Sequence, residues 1–114
     1  MADVAADTHK TLSGIAVGDT DVLETAIGLR EFGREATGLE GRAYSLVKIA
    51  ALIALDAPPA SYAWQIANAL EEGATAEDIL GVLRAVAPQV GGPRVMAAAP
   101  EIMLGLGLSL PEES

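Results

Sequence analysis

Between residues 42 and 90, apolar positions recur with a helical period three times in succession. Leu46, Ile49, Ala50 and Ile53 form one stripe. Val47, Ala51, Leu52 and Leu55 fill most of the remaining circumference. This predicts a helix over residues 44–55, apolar nearly all round and so buried on most sides. Pro58 and Pro59 end it and start a second helix over residues 60–72. Tyr62, Ala63, Ile66, Ala69 and Leu70 form the second helix's apolar stripe, with Ser61, Gln65, Asn68 and Glu72 on a polar one. Gly73 suits the residue just past a helix end. Thr75 then caps a third helix, with Glu77 and Asp78 in its first turn. Ile79, Val82, Leu83, Val86 and Val90 predict its buried face, and Pro88 is expected to bend or end it.

The flanks are less regular. A short amphipathic helix over residues 2–16 carries Val4, Thr8, Leu12 and Ile15 on one side. Thr20 or Asp21 can cap a helix over residues 22–35, which Gly38 separates from the apolar helix. After the third helix, Gly91, Gly92 and Pro93 predict a turn. A last helix runs from about Arg94 to Leu106 with a kink or break at Pro100, and residues 107–114 form a tail. The expectation is a single all-α domain over residues 1–114, a small bundle built on a helical hairpin, with an N-terminal segment over residues 1–20.

Composition adds a demand for burial. Hydrophobic residues make up 51% of the 114, with twelve glycines besides. A soluble domain is typically ~45–50% apolar with glycine included. Surplus apolar surface on a small chain is usually covered in a subunit interface. A homo-oligomer is therefore expected. The net charge of −9 argues against nucleic acid and anionic membranes as partners. No cysteine is present, which excludes disulfides, thiolate metal sites and thiol catalysis. With His9 the one histidine, an imidazole metal site is not expected, and no cofactor is implied. The N-terminus lacks the pattern of a signal peptide. No apolar helix approaches the ~20 residues needed to span a bilayer. A cytoplasmic location is expected.

Three stretches, LVKIAALIALDAPPASY, ALEEGATAEDILGVLRAVAP and VGGPRVMAAAP, carry a resemblance. Together they resemble the carboxymuconolactone decarboxylase family, which also holds the alkyl hydroperoxidase D-like proteins. The likeness runs from Leu46 through Leu106. It implies an all-helical subunit that assembles as a trimer, hexamer or similar ring, with pockets near subunit contacts. For the peroxidase branch it also implies a Cys-x-x-Cys, a histidine four residues later and a glutamate one helix earlier. In this chain Pro58 and Ser61 stand at the cysteines, Gln65 at the histidine and Leu46 near the glutamate. For the decarboxylase branch it implies the same histidine and a Tyr-x-Gly before the Gly-x-Pro turn. Gln65 and Gln89 occupy those two positions. A glutamine can hydrogen-bond a substrate but cannot shuttle a proton near neutral pH.

The candidate catalytic residues are Lys48 and Gln65. Lys48 is the one charge in the apolar helix over residues 44–55. It could bind an acidic ligand or, desolvated, act as a base or Schiff-base amine. Its alternative is a lysine whose head reaches water or an interface acid. Gln65 could line a pocket with Tyr62, Trp64 and Asn68; the alternative is a polar helix face with one interfacial tryptophan. Tyr62, Trp64, Gln89 and Arg94 are the candidate substrate-binding residues. Arg94 could hold a carboxylate bidentately or serve a surface pair. His9 reads as surface or packing. Two functions follow. One is a non-redox protein that binds or transforms a small acidic or lactone-like molecule, as a cofactor-free lyase or isomerase if it is an enzyme. The other is a catalytically silent oligomeric module. Thiol peroxidase chemistry is disfavoured by the missing cysteines.

Overall fold

Ser45, Ile49 and Ile53 recur every four residues along one line of a fifteen-residue helix, and all three are buried. The structure, a computed structural model, describes residues 3–28 and 34–111. The described residues fall into two compact units, one within Met1–Gly33 and one within Arg34–Ser114.

The larger unit holds α3 (Arg34–Thr37), α4 (Gly41–Leu55), α5 (Pro59–Glu71), α6 (Ala76–Val90) and α7 (Gly92–Gly105). Every strand assignment is absent among the described residues, so the fold is all-α as the periodicity predicts. Helix α4 packs against α5, α6 and α7. Its buried line is supplemented by Tyr62, Ile66 and Ala69 of α5, Ala74, Ile79 of α6, and Ala98 and Ile102 of α7. Val82, Leu83, Val86 and Val90 pack against this core while half-buried. On α5 the expected stripe is narrower than the sequence suggests. Ala63 and Leu70 are exposed, because α5 meets neighbours along a single line through Tyr62, Ile66 and Ala69.

The helix ends follow local chemistry. Asp56 closes α4 in the left-handed region (φ 53°), and the Ala57 N–H donates back to the Leu52 carbonyl at 3.0 Å. Pro59 then opens α5, where its missing N–H has no helical acceptor to lose. Gly73 turns the chain out of α5 at φ 91°, and the Ala74 N–H donates to the Ala69 carbonyl at 2.9 Å. Thr75 caps α6 reciprocally. Its Oγ1 accepts from the Asp78 N–H at 3.1 Å, and its own N–H donates to Asp78 Oδ2 at 2.9 Å.

Neither internal proline ends its helix. Pro88 neither ends nor interrupts α6, which runs on to Val90. It sits in the last turn, where the unmatched carbonyl belongs to exposed Arg84 and can be solvated. Pro100 likewise stays within α7, opposite exposed Met96. The predicted Gly91-Gly92-Pro93 turn contracts to Gly91 alone (φ 85°, ψ 163°), and Gly92 and Pro93 form the first turn of α7.

Contacts between helices set their directions. Arg42 at the start of α4 meets Asp78 at the start of α6, so these two helices begin at the same end. Gly105 near the end of α7 faces Ile66 of α5, and the charge of Glu101 reaches Tyr62. Helices α5 and α7 thus run the same way, opposite to α4 across the short corner.

The smaller unit holds α1 (Ala6–Ala16) and α2 (Thr20–Val22), which continues as a π-helical turn over Leu23–Ile27. Its N-cap is Asp19, whose carboxylate accepts from the Val22 N–H at 3.2 Å, rather than Thr20 or Asp21. The helix starts two residues earlier than expected, which places Asp19 at the capping position. The long helix expected over residues 22–35 is broken at Gly28 (φ 76°). Leu29, Arg30, Phe32 and Gly33 lie outside the described residues, as do Ala2 and residues 112–114. Gly14 leaves room for Val22, whose Cγ2 would lie 2.7 Å from an added Cβ.

Two substitutions separate tight packing from loose. A Cβ at Gly105 would lie 2.6 Å from Ile66 Cδ1 in the buried core. Gly105→Ala should cost about 1–3 kcal/mol, an overpacking penalty, and Ile66→Val should recover part of it in thermal unfolding. A Cβ at Gly41 would collide only with the tips of Arg34 and Glu72, an exposed ion pair at 2.8 Å. Gly41→Ala should shift stability by less than about 1 kcal/mol, since such pairs contribute little and alanine favours the helix.

Asp78 also carries an acid limb. Arg42 grips both its oxygens and the Thr75 N–H adds a third bond, which hold its carboxyl at about 2, below the usual carboxylate range. A carboxyl depressed by folding stabilises the fold above its unfolded value, near ~3.9. That contribution is lost as pH falls from about 4 to about 2. Asp78→Asn should be less stable at pH 7 and show a shallower loss across that window in chemical denaturation.

Candidate functional site

Lys48 sits midway along α4, half-buried and flanked on its own helix by Tyr44, Leu52 and Leu55 at helical spacing. Its Nζ lies 4.7 Å from the centroid of the Tyr44 ring and donates to Tyr44 Oη at 3.5 Å. An ammonium over an aromatic face is attracted by the ring quadrupole. Burial pulls the Lys48 amine below its ordinary value, because desolvation disfavours the charged form.

Gln65 is on the facing arm of the hairpin. Its Oε1 is buried and has no hydrogen-bond partner. Lys48 and Gln65 are therefore not bonded to one another, since an ammonium can only donate. They do share a height. Each lies roughly 10–12 Å along its helix from the corner at Asp56–Pro58, counted at 1.5 Å per residue. The ion pair of Arg34 with Glu72 over Gly41 closes the hairpin's other end.

The remaining candidates divide by place. Tyr62 is 2% exposed and belongs to the core. Burial raises its hydroxyl above the ordinary tyrosine value, and the negative charges of Asp56 and Glu101 push it further. It stays neutral and packs between α5 and α7. Trp64, 40% exposed, stands on the outer side of α5. Ser61, Gln65 and Asn68 are half-buried along the flank between Trp64 and the core line. Gln89 and Arg94 are both exposed, either side of Gly91, at the end of the bundle where α6 passes into α7. By the helix register above, that end lies near the α4–α5 corner, about two turns from Lys48 and Gln65. The six candidates thus form two groups, with Tyr62 acting as core. His9 is exposed on α1.

The model of the carboxymuconolactone decarboxylase family matches residues 20–102. The chain belongs to that family. A search of curated proteins and a search of solved structures each gave no match. The family's helical, alkyl hydroperoxidase D-like fold agrees with the bundle described above. This member carries no cysteine. Among the described residues no three His, Cys, Asp or Glu side chains group closely enough to hold a metal ion. No described helix is long and apolar enough to cross a membrane.

Tyr44 is the residue that sequence reasoning missed. Its signal was available, since it precedes Lys48 by one helical turn. What hid it was its place near the start of α4, where it reads as a boundary residue rather than part of a site.

The orphaned Gln65 oxygen can be tested for its cost. A buried acceptor without a partner is worth about 1–3 kcal/mol of lost stability. Gln65→Leu should therefore raise the thermal midpoint of the unliganded protein, and Gln65→Ala should not, because it opens a void instead.

Proposed function

We propose that this chain is a non-redox member of its family that binds a small acidic or lactone-like molecule at the Lys48–Gln65 level of the hairpin. The observation that carries this reading is the buried, unpartnered Oε1 of Gln65, a residue that the resemblance sets at the family's acid–base histidine. Buried polar groups are nearly always satisfied, and an exception in a native fold calls for a reason. A ligand hydroxyl or protonated carboxyl would supply the missing donor. Lys48, at the same height, offers positive charge for a carboxylate, with the Tyr44 ring and half-buried Leu52 beside it. Glutamine in place of histidine favours orientation of a substrate over proton transfer. If turnover occurs, a cofactor-free lyase or isomerase step fits best.

A second reading, an assembly module without chemistry, has its own support. Val47 and Leu55 on α4 are 57% and 73% exposed, and Trp64 adds an aromatic to the outer side of α5. Such a face suits association with identical copies, as a homotrimer or hexamer. The two readings are compatible, since a ligand site can adjoin a subunit contact.

Thermal-shift measurements with a panel of small carboxylates and lactones test the first reading. A ligand at a hundred times its dissociation constant should stabilise the protein by about 2.7 kcal/mol. That gain should vanish in Lys48→Ala and fall in Gln65→Leu. Stabilisation that persists in both variants would place binding elsewhere. Sedimentation at micromolar concentration tests assembly, with Trp64→Ala expected to shift the distribution toward smaller species.

A further inference from the structure

The chain has two lysines, and the structure sets them in opposite environments. Lys10 is exposed on α1. Lys48 is half-buried on α4, with an aromatic hydroxyl at 3.5 Å and leucines 52 and 55 continuing the same stripe. We propose that Lys48 captures the carbonyl carbon of a small β-keto acid as an imine, with Tyr44 supplying the proton that lets water leave. This deepens the reading above by naming the reactive atom and the substrate class, and it rests on that reading.

The geometry supplies what this step needs. The uncharged form of an amine is the nucleophile, and burial of Lys48 favours that form. Its Nζ adds to the carbonyl carbon, and the carbonyl oxygen becomes the hydroxyl of a neutral carbinolamine. That hydroxyl forms within reach of Tyr44 Oη, takes the phenolic proton and departs as water. An iminium on Lys48 and a phenolate on Tyr44 remain, their charges opposite and adjacent. The ring face that already holds the ammonium at 4.7 Å then holds the iminium. Half-buried Leu52, one turn further along α4, gives the substrate carboxylate an apolar neighbour. With the carboxylate β to the iminium carbon, the bond to the carboxyl group breaks to release carbon dioxide and its electron pair moves into the iminium to give an enamine on Lys48, the lyase outcome proposed above.

Trapping tests this directly. The full-length protein is incubated with acetoacetate and sodium cyanoborohydride, which delivers hydride to the iminium and fixes it as a secondary amine. Peptide mass mapping then compares Lys48 with Lys10 in the same molecule. The expected result is at least a tenfold excess of the adduct on Lys48, lost in Lys48→Arg. Tyr44→Phe should slow adduct formation at Lys48 at least fivefold with an unchanged thermal midpoint, while labelling of Lys10 is unaffected. Equal labelling of the two lysines, preference for Lys10 or no adduct at Lys48 would overturn the proposal. In those cases, carboxylate-dependent stabilisation that needs Lys48 would leave the binding reading intact, and its absence would remove both.

Discussion

The fold depends on one helix, α4, that has more apolar surface than the described residues around it cover, with Val47 and Leu55 left exposed. α4 is hydrophobic around nearly its whole circumference, yet its three partners reach it mainly along the line of Ser45, Ile49 and Ile53. Close approach along that line requires small side chains. Ala69, Ala74 and Ala98 sit among the isoleucines of the core, and Gly105 lets α7 sit directly against Ile66 of α5. Bundle cohesion therefore comes from a narrow, tightly packed seam, with bulky isoleucines seated against small residues.

The same narrowness shapes the candidate site. A helix gripped along one line leaves its flanks half-covered, which is where Tyr44, Lys48, Ser61, Gln65 and Asn68 are found. A lysine there loses part of its hydration without being sealed off. A glutamine there can hide its oxygen while lacking a partner for it. These are conditions under which polar groups have strong preferences about what approaches them.

Most of the helices in the larger unit were legible because their boundaries are written in short-range chemistry. Thr75 with Asp78, Gly73, and the Pro58-Pro59 pair each act within a few residues, so spacing alone located them. The failures share a cause. Pro88 and Pro100 looked disruptive, yet their effect depends on whether the unmatched carbonyl faces solvent, which only packing decides. Ala63 and Leu70 looked buried because periodicity shows which residues share a face, not how wide a face its neighbours cover. Of the site, Lys48 and Gln65 stood out in the sequence as a charge and an amide at informative positions. Tyr62 was misleading there, since an aromatic near polar groups reads as a pocket wall until its burial is known. The grouping of Gln89 with Arg94, apart from Lys48, required the relative directions of four helices.

A single residue, Gly91, joins α6 to α7. With so short an elbow there is no slack in which to absorb a change of length. An inserted residue would rotate α7 by about 100° and advance it by about 1.5 Å. Gly105 would then turn away from Ile66, and a bulkier neighbour would take its place against α5. The elbow thus works as an indexing joint: the one residue between Val90 and Gly92 sets the register in which Gly105 meets Ile66.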